Sequence, residues 1–475
     1  MGYEAVIGLE IHVQLSCTTK MFCDCPNRPG DDPNTNICPI CLWLPGAVPR
    51  FSLETLEKAT LACLALNCDV QPRSAFDQKV YYYPDLPKGF QLSQHHMPLA
   101  RGGWIDIMDE DGKPKNLRLH HVHMEEDVAK LVHETEGRTP ISLVDFNRAG
   151  TPLIEIVTEP DMRSPHDAMA FLKVLRTQLR YTGCAECSMD QGTMRCDANI
   201  SLRPLGSDQL NTKVEVKNMN SIQHVGNAIA YEIKRQAESL KNNEPIMLHT
   251  RLWDPEKGIT TAMRAKFEGP CVPDPAVTQI LVTDEWLRKM ASKLPEMPHR
   301  KVSRFVRQYG LAHDEAAQMS SERELSEYFE AVVKFGASPR TVANWIATQL
   351  LPAVKEHGHE FATSPVTARR FSGLITMLEK DEINSNSARS VLNKLFETAK
   401  SPEEIVDQFG FRQVSDTGAL RGIVDQVISE NMSAVENYKN GNKKSIGFLV
   451  GQAMKLSQGK ANPKRLQEIL RESLA

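Results

Sequence analysis

The chain has 475 residues, 41% hydrophobic and 24% charged, with a formal net charge of −4 at pH 7. That length predicts two to four domains with ample material for cores, and the near-neutral charge excludes a global basic field, leaving only local patches for nucleic acid. No apolar run reaches the roughly 18 residues of a membrane-spanning helix, and residues 1–20 lack a charged-then-apolar signal pattern. The expectation is therefore a soluble, cytoplasmic protein with no membrane association. Eleven cysteines in a long chain of a reducing compartment point to metal or catalysis, not to a disulfide scaffold.

From Val6 to Leu15 the chain alternates strictly. Ile7, Leu9, Ile11, Val13 and Leu15 fall on one face, and Gly8, Glu10, His12 and Gln14 on the other, as in a strand with one face on a core. Glu10 and His12 stand about 6.6 to 6.8 Å apart along it, which suits two ligands of one cation or an acid beside a base. Cys23-x-Cys25 follows, then twelve residues, then Cys38-x-x-Cys41. Two close thiolate pairs joined by a polar loop predict a tetrahedral zinc site, and four sulfurs with no open position predict a structural one. Four unrelated cysteines are the alternative. Cys184-x-x-Cys187 has no matching pair nearby and reads as buried.

Ser52 to Leu66 has helical spacing with Ser52 as N-cap. Between Phe76 and Gln94, strand-like aromatics surround Lys79 before prolines and a glycine turn the chain. Lys79 and Tyr81 share a face of that strand. The lysine could hold a phosphate or a nucleotide; equally, the tyrosines could be core with their hydroxyls at the rim. His121, His123, Glu125 and Asp127 share a face of the next strand, and Glu155 sits between Ile154 and Ile156 in a third. Such groups are either solvated or gathered around a cation, and carboxylate oxygens suit Mg²⁺. Three strands each carrying an acid point to one shared site.

Ser164 then caps a helix with Pro165 at its first position and Gly183 at its end. Strands return at Met194–Arg203, with Arg195, Asp197 and Asn199 on one face, and at Lys213–Asn218; a helix follows from Ser221. Beyond Pro295 and Pro298 the spacing is helical, over Glu322–Phe335, Pro339–Leu351 and Arg369–Lys380. A last module of short helices begins at Gly410. From Glu436 to Ala475 eight Lys or Arg stand against three Glu. That local excess is either a solvated face or a grip on nucleic-acid phosphates.

Several of these motifs together resemble one family. They are Gly8 to Leu15, the cysteine tetrad, Tyr83-Pro84-Asp85-Leu86-Pro87-Lys88-Gly89-Phe90-Gln91, His123 to Asp127, Asn147 to Glu155, Met194 to Asn199, and Lys439 to Gln452. The chain is similar over essentially its full length to the B subunits of aspartyl/glutamyl-tRNA amidotransferases, the GatB family. The resemblance implies an α/β (α+β) cradle domain with a largely antiparallel sheet over 1–292. It further implies an all-α helical domain over 293–409 and a small all-α, YqeY-like tail over 410–475 that grips tRNA. It implies an ATP- and Mg²⁺-dependent ligase that phosphorylates the side-chain carboxylate of Glu-tRNA(Gln) or Asp-tRNA(Asn). Ammonia would come from a glutaminase A subunit, while a C subunit holds the pair together. By this match Glu10, His12, Glu125 and Glu155 hold Mg²⁺, with Glu10, Lys79 and Glu125 catalytic and Lys79, Tyr81 and Arg148 facing the nucleotide. The cysteines Cys23, Cys25, Cys38 and Cys41 hold structural Zn²⁺. One departure stands out: Met263 to Pro275 keeps the family's Pro-Asp-Pro but few of its aromatics.

Overall fold

Alternation places the opening strand, Tyr3–Gln14, in the middle of a 14-stranded sheet. Ile7, Leu9, Ile11 and Val13 are buried on its apolar side, and each fully buried side chain of this size contributes about 1.5–3 kcal/mol. The computed structural model describes residues 2–136, 139–263, 269–413, 417–439, 442–457 and 461–474. Arg264 to Glu268 of the aromatic-poor departure and Asn440 and Gly441 of the tail motif lie outside them. The described residues form two compact units, Met1–Met297 and Pro298–Ala475.

In the first unit Tyr3–Gln14 pairs on one side with Met194–Pro204 and on the other with Pro152–Thr158, both antiparallel. Beyond Pro152–Thr158 come Pro114–Glu126, Phe90–Met97 and Arg73–Val80; beyond Met194–Pro204 comes Val214–Met219. Thr250–Asp254 adds a parallel strand to Val214–Met219; the pairings that carry the site are antiparallel. Three helices, Leu53–Ala65, Pro165–Thr182 and Ile222–Lys241, share one apolar core with the opening strand. Each starts where the sequence places a serine. Ser52, Ser164 and Ser221 accept from the backbone N–H groups of Thr55, Asp167 and His224, a cap contributing about 1 kcal/mol. Gly183 ends the second helix at φ 69°, which a side chain would resist.

One expectation fails locally. The strand carrying Lys79 stops at Val80, so Tyr81 lies in the loop that follows and strand alternation does not set its direction. Pro84 and Pro87 shape that loop, and proline cannot donate to a ladder. Cys184 and Cys187 are fully buried in the core.

The second unit is helical throughout its described residues. Arg323–Lys334, Pro339–Trp345 and Ala368–Glu379 occupy the expected stretches. The middle one continues through a π-helical turn, Ile346–Leu350, into Leu351–Glu356; Pro352 withholds an N–H there, a common cause of such irregularity. The unit has two apolar cores, one running from Phe305 to Val406 and one from Leu420 to Leu474. No described helix is long and apolar enough to cross a membrane.

Candidate active site and cysteine clasp

Strand register assembles the first constellation. On adjacent strands His12 faces Glu155, and Glu155 faces His123, so three ionisable side chains form a row across the polar face. Glu125, two residues beyond His123, completes the group. His12 Nε2 lies 3.3 Å from both Glu125 Oε1 and Glu155 Oε2. His123 Nε2 lies 3.3 Å from Glu155 Oε2 and 3.8 Å from Glu125 Oε2. Burial opposes charge on both imidazoles, yet the carboxylates outweigh it: His12 is pushed up to about 9 and His123 to about 10. Burial alone would raise Glu155, but His123 and His12 hold it well below the usual carboxylate range. The two imidazoles and two carboxylates thus pair with one another across the polar face. His121 stacks on His123 at 5.2 Å; burial, then the neighbouring His123 and His120, bring it down to about 4.

One ligand atom each from His12, Glu125 and Glu155 lies within 4.8 Å of the others. Ligands of one octahedral Mg²⁺ stand about 3 Å apart at ~2.1 Å from the ion, so small side-chain adjustments close this set on a cation. The fourth expected ligand is not in it. Glu10 Oε1 accepts from Asn199 Nδ2 at 2.9 Å, with Asp197 in register beside it and Lys217 bound to Asp197. Lys79 is half-buried, in register with Gln91 and Cys271, and its side chain has no hydrogen bond or ion pair among the described residues. Tyr81 donates its hydroxyl to Gln91 Oε1 at 3.4 Å, and burial raises its phenol above the ordinary range. Arg148 is held by the backbone: it donates to the carbonyls of Val128 and Ala129, both at 2.9 Å, with Asp127 at 3.8 Å.

Sequence reasoning counted His123 among the groups either solvated or gathered around a cation but did not name it as part of the site. It also missed Asp127 as a hub, which accepts from Arg195 Nη2 at 2.8 Å and from Gln14 Nε2 at 3.0 Å. A buried ion pair went unseen as well. Lys88 binds Glu126, next to Glu125, with both side chains almost fully enclosed. Lys88 Nζ sits 5.6 Å from the Trp43 ring and 5.7 Å from that of Phe90, which adds cation–π attraction. Nothing in a linear motif signals such a pair.

The second constellation is the cysteine loop. The sulfurs of Cys23, Cys25, Cys38 and Cys41 all lie within 4.8 Å of one another. Tetrahedral zinc with Zn–S of ~2.3 Å needs edges of about 3.8 Å, so the tetrad fits zinc with slight contraction. The Cys23 thiol brings Cys41 down to about 5 against the opposing effect of burial, with Lys20 and the Cys38 backbone N–H assisting. Lys20, fully buried, lies 3.8 Å from Cys41 Sγ and donates to the Phe146 carbonyl at 3.1 Å. The loop is tied to the turn before Glu155's strand. Asn147 Oδ1 accepts from the Asn36 N–H at 2.8 Å, and its Nδ2 donates to the Asp32 carbonyl at 2.7 Å.

A one-sided sheet carrying acids and imidazoles on its polar face, beside a cluster of four cysteines that could hold a metal ion, defines an enzyme-type domain followed by a helical unit. Comparison with known proteins is consistent with that class. Residues 5–288 match the GatB/GatE catalytic domain and residues 327–474 the GatB domain. An aspartyl/glutamyl-tRNA(Asn/Gln) amidotransferase B subunit of Syntrophus aciditrophicus is 63% identical over 474 residues, covering 100% of this chain and 99% of that protein. The B subunits of the same enzyme in Carboxydothermus hydrogenoformans and Persephonella marina are 44% and 45% identical, each over 100% of this chain and 99% and 100% of their own. The chain belongs to the GatB family.

Proposed function

We propose that this chain is the B subunit of a three-subunit, tRNA-dependent amidotransferase, a carbon–nitrogen ligase that converts misacylated Glu-tRNA(Gln), Asp-tRNA(Asn) or both into the amide. The observation that carries this reading is the convergence of His12, Glu125 and Glu155, with His123, on the polar face of a sheet matched to the family's catalytic domain.

The chemistry needs an anionic carboxylate to attack an anionic phosphate, so positive charge must be gathered first. His12, Glu125 and Glu155 would hold Mg²⁺, with Glu10 as a further acid nearby, and His123 fixes the direction of Glu155. Mg²⁺, when bound, neutralises the phosphate oxygens. Lys79, a cation with no partner among the described residues, is available to the incoming carboxylate. A carboxylate oxygen of the substrate bonds to the γ-phosphorus as the bond to ADP breaks. Ammonia then bonds to the acyl carbon, phosphate leaves and the nitrogen loses a proton. The acyl phosphate must be kept from water, which accounts for ammonia delivered directly from a glutaminase A subunit, with a C subunit to hold the pair together. Zn²⁺ on Cys23, Cys25, Cys38 and Cys41 would have a structural role.

Three domains, 1–292, 293–409 and 410–475, would divide the work, the last two holding tRNA. Removing 411–475 should then weaken tRNA affinity in a salt-dependent way. The central test is transamidation by the assembled three-subunit enzyme on each misacylated tRNA, with and without ATP. Glu125→Ala should keep tRNA binding and glutamine hydrolysis but lose amide formation. Near-normal transamidation by that variant would overturn the assignment.

A further inference from the structure

Lys20, three residues before the cysteine loop, has an exposure of 0%. An ammonium taken out of water is expensive unless an anion accompanies it. Lys88, almost as enclosed, has Glu126. Lys20 has no carboxylate within ion-pair distance among the described residues. Its Nζ donates to Cys41 Sγ at 3.8 Å and to the Phe146 carbonyl at 3.1 Å. A carbonyl carries no net charge, and neither does a thiol. The buried ammonium is matched only if the sulfur is a thiolate.

Zinc on the tetrad would make it one. Four thiolates exceed the charge of one Zn²⁺ by two, and a cation hydrogen-bonded to one sulfur takes up part of that excess from outside the coordination sphere. The backbone holds Lys20 in place for this. Its N–H donates to the Cys25 carbonyl at 3.0 Å, and the next N–H, of Met21, donates to the Gly150 carbonyl at 2.8 Å. The aliphatic stem lies against Gly150, where φ is 88°. A Cβ there would stand 3.5 Å from Lys20 Cδ and 3.9 Å from Cys41 Cβ. The glycine thus brings the turn against both residues in a conformation that side chains resist. The Phe146 carbonyl also accepts from the Ala149 N–H at 3.1 Å, and this turn leads into Pro152–Thr158, the strand of Glu155.

Resting on the zinc reading above, we propose that Lys20 is the buried counter-ion of a zinc tetrathiolate and the strut that joins it to the turn ahead of Glu155. Lys20 is a positioning residue: it reaches the chemistry only through the turn. The coupling runs both ways. Removing the ammonium leaves the thiolates undercompensated, and removing zinc leaves the ammonium without an anion.

The test uses the full chain carrying Lys20→Met or Lys20→Gln, with folding checked by circular dichroism. In competition with a chelator of known strength, both variants should bind zinc roughly ten- to hundredfold more weakly, ~1.4 to ~2.8 kcal/mol. Glutamine keeps a donor for the Phe146 carbonyl but not the charge, so wild-type affinity in Lys20→Gln overturns the counter-ion. With Co²⁺ in place of zinc, the sulfur-to-metal charge-transfer band should shift in Lys20→Gln; an unmoved band also overturns it. Melting temperatures separate charge from packing. Zinc-loaded Lys20→Met should melt below wild type, while after chelation the difference should shrink or reverse. An equal fall in both states makes Lys20 a packing residue and overturns the proposal. If the stripped chain does not fold, affinity and the cobalt band decide. Hydrogen exchange at the Ala149 and Gly150 amides should quicken in zinc-loaded Lys20→Met, and unchanged exchange overturns the strut. A wild-type chain that holds no zinc overturns the zinc reading together with this one; zinc bound equally by wild type and variants overturns this one alone.

Discussion

Two constellations of metal-ligand type stand within one unit of this protein, and they are built in opposite ways. The cysteine clasp takes its four sulfurs from residues 23–41, one loop with little core of its own. The acid–imidazole quartet takes its members from positions 12, 123, 125 and 155, on three strands of a sheet. A closed tetrad that holds zinc would fix the loop, so its loss should appear as a folding defect. The quartet sits on a sheet with a core of its own, so under the proposed function its loss should appear first in the chemistry.

The largest effect is expected at the clasp. Cys38→Ser should remove about one zinc per chain, since a Cys₄ site contributes on the order of 10 kcal/mol of local folding energy. Metal analysis and a lowered melting temperature check this together, and unchanged zinc would refute the tetrad. At the quartet, Glu125→Gln should lower amide formation by about a thousandfold, the loss of ~4 kcal/mol of charge stabilisation. Because Glu125 also balances the His12 and His123 imidazoles, the variant's melting temperature should fall as well, so amide formation is compared on protein shown to be folded by circular dichroism.

The Lys88–Glu126 pair lies between the two, against Trp43 just past the cysteine loop and adjoining Glu125. Lys88→Met leaves a buried carboxylate uncompensated and should cost about 3 kcal/mol in denaturant unfolding. Adding Glu126→Leu should recover most of it. A smaller effect is expected from pH. Without added divalent cation, His12 and His123 have folded values of about 9 and 10, above the unfolded 6.5. Their contribution is therefore fully present below about pH 6.5 and is lost as pH rises through 9 to 10. Unfolding measured across that window should lose this fall in a His12→Gln/His123→Gln variant. Saturating Mg²⁺ should reduce it, because the cation replaces the imidazolium charge.

Much of the framework was legible in the residues. Alternation from Ile7 to Val13 sufficed for the central strand, and Ser52, Ser164 and Ser221 marked three helix starts, because caps and period-two burial are local physics. Cys23-x-Cys25 and Cys38-x-x-Cys41 were likewise readable, since one short loop supplies every ligand. The motif order also carried the family. Tyr81 was misplaced because a strand ends where its ladder partners end, and those partners are distant in sequence.

What the sequence determined by itself, then, was which faces are polar and which loop is a clasp. Only the tertiary structure decided which polar residues meet. Alternation has a period of two and leaves register open, and a two-residue slip keeps every face while changing every neighbour. Pairing of strands more than a hundred residues apart aligned His12 with Glu155 and His123, held Glu10 apart beside a cavity, and turned Arg148 onto backbone carbonyls.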